Sequence, residues 1–442
     1  MRKIKVVLLG GGSLYFEYVM AEIACTPELA GSQIILYDIN AKRMDLMRRI
    51  GLRIAEKTKS GLDIQATSEL ARALDGADFA IASIGVHGPD AGWHKTDSDA
   101  AAKFGIIHTT GDTVGPGGFS QGLRIIPIFL DIARKMEKYC PDAILLNHSN
   151  PMAAICRAVM KYSSIHTIGY CHGAIGDIHF FSRIMGVPFE ELDAVIAGVN
   201  HCSWLLRLTH KGKDAMPKLK KALNKKNKEP HHVFSTEFFQ LTGMYPLGGD
   251  RHVIEFFPHS RIYSKTKKIP YGMQWRTDMI NGNMLKKEIN KGPDDINLKA
   301  AGKKDVWLPK ENETTPESMG AQLRALAFGH QKLHLVSTPN HNAVPNLPDW
   351  AVLELKAVIG KGGARPIYAG ELPAQAARWS LAQIYTNELM VDAAVEKSRE
   401  KAIMAFACDP MIRDLKEAQK VFDAIVKAQG DRLKVFRAKK SK

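Results

Sequence analysis

Ile4-Lys5-Val6-Val7-Leu8-Leu9-Gly10-Gly11-Gly12-Ser13 is the stretch on which the fold turns. A short apolar run that ends in glycine predicts a buried parallel strand over residues 4–9. Leu14 to Ala24 reads as a helix, and Gln33 to Tyr37 predicts a second strand that ends in Asp38. Strand, glycine turn, helix, strand and terminal acid make up the dinucleotide fingerprint. Gly10, Gly11, Gly12 and Ser13 leave room for a pyrophosphate at the helix N-terminus, where free amides and the dipole favour anions. Asp38 is placed to accept hydrogen bonds from ribose hydroxyls, which favours NAD over NADP. The third glycine position holds Tyr15, and Lys42 and Arg43 lie close enough to bear on a 2′-phosphate.

The alternation continues down the chain. Phe79 to Ile84 predicts a strand running into Gly85-Val86-His87-Gly88, and Leu123 to Tyr139 a helix. Ala143 to Leu146 predicts a strand opening into Asn147-His148-Ser149-Asn150-Pro151, and Thr167 to Tyr170 another. Ligands of open α/β sheets bind beyond the carboxyl ends of strands, so Asp38, Gly85, Asn150 and Cys171 are expected along one edge. Residues 205–300 are irregular, basic and aromatic. Glu317 to His330, Leu353 to Ile359 and Glu371 to Met404 read as helices, the last broken near Thr386. The expected architecture is a Rossmann-type doubly wound parallel sheet (residues 1–197) followed by a mostly helical α+β domain (residues 198–442) that carries substrate, metal and oligomer contacts.

Composition narrows the class. The chain has 442 residues, 45% of them hydrophobic, which is ordinary for a globular enzyme with two sizeable cores. No apolar run reaches the roughly 18 residues of a membrane span. The basic, then apolar, start resembles a signal peptide, but Gly10-Gly11-Gly12 cuts the run short. The six cysteines show no paired spacing, which fits reduced thiols in a cytoplasm. The net charge of +15 is concentrated between Lys211 and Lys228 and in the tail from Arg437 to Lys442. Neither run interleaves aromatics, so both read as solvated faces, and neither nucleic acid nor membrane is an expected partner.

Gly169-Tyr170-Cys171-His172-Gly173 and Gly198-Val199-Asn200-His201 carry the chemistry. Cys171 and His201 could be a packed thiol and a loop imidazole. After a nucleotide fold they read instead as two ligands of one divalent metal. Two protein ligands leave room for substrate oxygens, as a Lewis acid requires and a structural zinc does not. Asn150, held at a strand end before proline, could bind sugar hydroxyls. Gly111-Asp112-Thr113-Val114-Gly115-Pro116-Gly117-Gly118 could line cofactor or substrate. In Gly249-Asp250-Arg251-His252, Asp250 and His252 could move protons and Arg251 could pair with an acid. Tyr245, Tyr263 and Tyr271 are further proton-transfer candidates, and Ser337 to Asn342 reads as a polar loop.

Taken together, these motifs resemble the NAD- and metal-dependent glycosidases of glycoside hydrolase family 4, over most of the chain. Asp250 to His252 followed by Glu255-Phe256, the Gly111 to Gly118 loop and Asn346-Leu347-Pro348 look most like the α-galacturonidase branch. The resemblance implies a lactate/malate dehydrogenase-like fold, NAD and a divalent metal (Mn foremost) as cofactors, and a homodimer or homotetramer. It also implies an exception to two-carboxylate glycoside hydrolysis. On that resemblance NAD would oxidise the sugar at C3, a metal held at Cys171 and His201 would bind O2 and O3, the C2 proton would be removed, and the glycosidic bond would be lost by elimination. Water would then add and the ketone would be reduced again.

Where some members carry an acidic proton donor after the cysteine, this chain has His172. The tyrosine base of the phosphoglucosidase branch has no clear match, and Asp250 falls in its region. Arg251 could hold a uronate carboxylate or merely orient Asp250. The branch resemblance makes an α-galacturonide the expected substrate, with α-glucosidase, α-galactosidase or α-glucuronidase activity as the runner-up. A 2-hydroxy-acid dehydrogenase is the competitor from another class, and it would have no need of Cys171.

Overall fold

A computed structural model describes residues 2–85, 92–224, 231–258, 271, 273, 295–310 and 315–438. Thirteen strands among these form one sheet. Six are parallel: β1 (Lys5–Leu9), β2 (Gln33–Tyr37), β3 (Asp63–Thr67), β4 (Phe79–Ala82), β5 (Ile144–Asn147) and β6 (Thr167–Gly169). Their spatial order is β3-β2-β1-β4-β5-β6, the doubly wound dinucleotide arrangement that the glycine turn predicts. β1, β2, β4 and β5 read as largely apolar runs because helices cover both faces, whereas edge strand β3 exposes Asp63 and Gln65. Helices 15–24, 41–58 and 319–328 pack on one face around Val6, Leu8 and Ile34. Helices 115–139 and 152–162 pack on the other around Val7, Leu9 and Leu145.

The sheet continues past β6 with antiparallel strands. These are β7 (Leu192–Val199), β8 (Cys202–His210), β9 (Lys213–Asp214), β10 (Tyr245–Leu247), β11 (Lys332–Pro339), β12 (Val352–Gly360) and β13 (Gly363–Pro366). β11 joins β6 at Ser337↔Gly169, and the order then runs β11-β12-β7-β8-β10. The residue 197/198 division falls inside β7, which pairs with β8 from Leu192↔His210 to Val199↔Cys202. Helices 374–396, 399–407 and 415–429 complete the C-terminal part, with a core around Met390, Phe406 and Phe422.

Several local expectations are corrected. Leu353 to Ile359 is not a helix but the interior of β12, between β11 and β7. A short apolar run buried on both faces carries no period that separates strand from helix. Ser337 to Pro339 belongs to β11 rather than to a loop. The irregular stretch contains β8, helices 216–223 and 233–242, and β10. The helix expected from Leu123 starts at Gly115, so Gly115 to Gly118 form its first turn and Gly111 to Val114 lead into it. The C-terminal tract breaks at Lys397, in left-handed backbone, and not near Thr386. Lys218, Lys220 and Lys221 are exposed on helix 216–223 above buried Leu219 and Leu223, a solvated face as expected. Lys225, Lys226, Lys228, Lys439, Lys440 and Lys442 lie outside the described residues. No helix among the described residues is long and apolar enough to cross a membrane.

Candidate active site

The glycine turn closes on Asp38. Gly10 and Gly11 donate their amides to the Tyr37 carbonyl at 3.0 and 2.8 Å. Gly10 has φ +83°, and a Cβ there would lie 2.4 Å from the Ser83 carbonyl oxygen, so only glycine fits. The Gly12 amide donates to Asp38 Oδ2 at 2.8 Å, and the Asn40 amide to Oδ1 at 2.8 Å. Ser13 and Ser83 hydroxyls meet at 3.0 Å, tying the turn to the end of β4, beyond which Gly85 is exposed. Arg43 donates through Nε to the Gly12 carbonyl at 3.1 Å. Val86, His87 and Gly88 lie outside the described residues.

Along the same carboxyl edge, β5 ends before Asn150 and β6 before Cys171. The peptide between Asn150 and Pro151 is cis. His201 comes from the β7–β8 turn, where its φ of +69° puts a non-glycine residue in left-handed backbone. Such strain persists only where the surroundings impose it, and it is frequent at functional sites. Here it brings His201 Nε2 to 3.3 Å from Cys171 Sγ. The other ring nitrogen, Nδ1, lies 2.9 Å from Thr113 Oγ1, which itself donates to Asp112 Oδ1 at 2.7 Å. That hydroxyl proton is committed to Asp112, so Thr113 accepts from His201 Nδ1–H and the Nε2 lone pair faces Cys171. The His252 ring stacks on His201 with centroids 3.7 Å apart, and its Nδ1 is 3.7 Å from Asp112 Oδ1. Asn150 Nδ2 donates to Asp112 Oδ2 at 3.1 Å.

Asp112, His201 and His252 therefore bring one ligand atom each to within 4.8 Å of one another, and Cys171 borders the group through His201. Burial pushes the Cys171 thiol up to about 12 and pulls His201 down to about 4. Burial would raise Asp112 too, but the imidazoles of His252 and His201 and the Thr113 hydroxyl outweigh it and hold the carboxyl well below its usual range. A neutral imidazole, a carboxylate and a thiol that ionises only against a strong positive partner form a donor set suited to a divalent cation.

Buried carboxylates hold the surrounding loops. Asp177 accepts the amides of Gly248 (2.6 Å) and Gly249 (3.3 Å). Glu354, on β12, accepts from Asn200 Nδ2 (2.9 Å) and Ser203 Oγ (2.6 Å) and so braces the turn that carries His201. Asp409 accepts the Gly115 amide at 2.9 Å. Asp250, expected as a base, does the same kind of work. Its oxygens accept the amides of Phe234 (2.6 Å) and Ser235 (3.0 Å) at the start of helix 233–242, and the residue is fully buried. Two helix amides already occupy this carboxylate, so the residue is a cap.

The other expected residues fall as follows. His172 is half exposed beside Cys171, with Nδ1 3.0 Å from Glu317 Oε1. Arg251 precedes His252, and its positive charge helps lower the His201 pKa, second to burial among the lowering influences. Tyr245 is fully buried, which pushes its phenol well up, and Tyr271 packs edge-on against Phe234. Tyr263 lies outside the described residues. Asp112 and Thr113 were visible only as parts of a glycine-rich loop; an acid and a hydroxyl inside a helix-leading glycine segment were the available signal.

A doubly wound dinucleotide sheet thus has a thiol, two imidazoles and a carboxylate gathered beyond its strand ends, a set of groups that could hold a cation. The family 4 glycosyl hydrolase model matches residues 5–187 and the family 4 C-terminal domain model residues 196–412. The chain belongs to the family 4 glycosyl hydrolases. It is 28% identical to the α-galactosidase of Bacillus subtilis (98% of this chain, 100% of that protein). It is 29% identical to the α-galacturonidase of Thermoanaerobacterium saccharolyticum (95% and 94%). In structure it is similar to a 6-phospho-α-glucosidase from gut microorganisms in complex with NAD and Mn2+ (TM-score 0.81, 22% identity, 98% and 99% covered).

Proposed function

We propose that this chain is an NAD- and Mn2+-dependent α-glycosidase acting on uronic acid glycosides, α-galacturonides foremost. The approach of Cys171 Sγ to His201 Nε2 at 3.3 Å, beyond the strand ends of a dinucleotide fold, carries the reading. The residues present fit both groups. Gly10 to Ser13 and Asp38 offer a turn for a pyrophosphate and an acceptor for a ribose, with Gly85 at the neighbouring strand end. Cys171, His201, Asp112 and His252 offer donors for a cation, and Asn150 Oδ1 is buried with no hydrogen-bond partner among the described residues. On this reading residues 1–197 hold the cofactor and residues 198–442 shape the sugar pocket.

When bound, NAD would supply reversible hydride transfer at C3 of the sugar and the cation Lewis-acid stabilisation of charge across C2 and C3, the conditions for losing the glycosidic bond by elimination. The chain's own residues orient the donors, the sugar and the leaving group. Thr113 keeps His201 in the tautomer that presents Nε2. Asn150 offers its side-chain oxygen to a sugar hydroxyl. His172, whose Nδ1 is held by Glu317, presents its other nitrogen to the departing glycosidic oxygen as proton donor. Arg251 meets the C5 carboxylate, a planar pairing that favours a uronide over a neutral sugar.

The experiment is a screen of aryl α-glycosides and short uronides with NAD and Mn2+, read as free sugar released and NADH accumulated. Sugar release that needs both cofactors and accumulates no NADH is expected. Stoichiometric NADH without sugar release would replace this reading with a 2-hydroxy-acid dehydrogenase.

A further inference from the structure

We propose that Glu255 is a positioning residue for the cation site: its carboxylate joins the loop that carries Asp112 to the short helix that carries His252. Glu255 is 1% exposed. Its Oε1 accepts the amides of Thr109 (2.7 Å), Thr110 (2.9 Å) and Gly111 (3.0 Å), and Oε2 accepts the Gly111 amide as well (3.0 Å). His108 Nδ1 adds a fifth contact at 3.2 Å. Three successive amides around one oxygen form an anion nest. Here the chain fills the nest with its own side chain.

A second row of bonds runs parallel to the first. The hydroxyls of Thr109 and Thr110 donate to the Arg251 carbonyl at 2.7 and 2.9 Å. Residues 251–255 are thus fastened to residues 108–111 from both sides. Asp112 follows the last nest residue, and His252 precedes Glu255 by one helical turn. The backbones of Cys171 and His201 are set elsewhere, at the end of β6 and in the β7–β8 turn, and the His201 ring meets the seam loop only further on, at Thr113. The site therefore has two halves, one built on the sheet and one on this seam. Loosening the seam separates Asp112 from His252 while the sheet half and the glycine turn stay in place. Supports of this kind set metal affinity because the ligands they orient lose less freedom on binding.

This inference rests on the reading that Asp112 and His252 serve the cation. The test is direct titration of the full chain with Mn2+, followed by the paramagnetic resonance of free Mn2+, with NAD binding measured alongside. Glu255→Gln should weaken Mn2+ binding about 10- to 100-fold, leave NAD affinity unchanged within about twofold, and recover turnover as Mn2+ is raised. Mn2+ affinity within about twofold of the unmodified chain in a folded Glu255→Gln variant would overturn the proposal. If that variant does not fold, Thr109→Val with Thr110→Val removes only the Arg251 side of the seam. It should weaken Mn2+ by about threefold or more, and no change overturns the proposal equally. Asp112→Asn separates the two levels. If it weakens Mn2+ and Glu255→Gln does not, the seam alone is wrong; if it leaves Mn2+ binding intact, the ligand reading falls and the seam's role with it.

Discussion

Thr113 Oγ1 accepts from His201 Nδ1 across 2.9 Å while donating to Asp112 Oδ1 across 2.7 Å, so one hydroxyl sets both the tautomer of an imidazole and the position of a carboxylate. Thr113→Val keeps the shape and removes both bonds. Mn2+ affinity should fall about tenfold, as on losing any hydrogen bond that orients a ligand. Titration of free Mn2+ checks it, and unchanged affinity would show that packing alone orients His201.

Cys171→Ser exchanges a soft donor for a hard, uncharged one at the point where β6 ends. Turnover should be lost while NAD affinity survives, because Gly10 to Ser13 and Asp38 form their contacts without Cys171. A serine variant with near wild-type turnover after chelation and dialysis would remove Cys171 from the site.

The cofactor preference rests on Asp38, whose Oδ2 receives the Gly12 amide at 2.8 Å. NAD should bind more tightly than NADP, and Asp38→Ala should narrow the gap by removing the charge that repels a 2′-phosphate. Arg43, held on the Gly12 carbonyl, sets the opposing tendency. Equal affinity for both cofactors in the unmodified chain would make Arg43 or Lys42 the deciding group.

Arg251 separates uronide from neutral sugar. Matched α-galacturonide and α-galactoside are compared by kcat/KM, then again in Arg251→Lys. Loss of the planar fork should cost the uronide about 2 kcal/mol and leave the galactoside nearly unchanged. Equal losses would reassign Arg251 to structure or catalysis, and no uronide preference in the unmodified enzyme would favour a neutral α-glycoside.

Stability should depend on pH through Asp409. Burial pushes its carboxyl from 3.8 up to about 6. Between those values the folded chain keeps a proton that the unfolded chain has released. Asp409's contribution therefore falls as pH rises from about 4 to about 6, by up to about 3 kcal/mol for a shift of about two units. The Tm measured across that window should decline less steeply in Asp409→Asn. Parallel Tm profiles for the two proteins would sink the assignment.

The amino-acid sequence alone determined five of the six parallel strands, all but β3, because a glycine turn between an apolar strand and a helix, with Asp38 after the next strand, is a local pattern whose geometry has few solutions. It also put Asn150 and Cys171 just past strand ends, where β5 and β6 stop. What lay beyond it was everything decided by distant partners. Leu353 to Ile359 is a strand because β11 and β7 flank it, and its own residues carry no period to say so. Asp250 reads as a base from its neighbours in sequence, yet it caps helix 233–242 because the chain folds that helix start onto it. Asp112, His201 and His252 come from three segments up to 140 residues apart. Only the tertiary structure brings them within 4.8 Å. Hydrophobic patterning is a property of neighbours along the chain, whereas a cation site is a property of where long-range packing, strained turns and buried carboxylates bring the loops together.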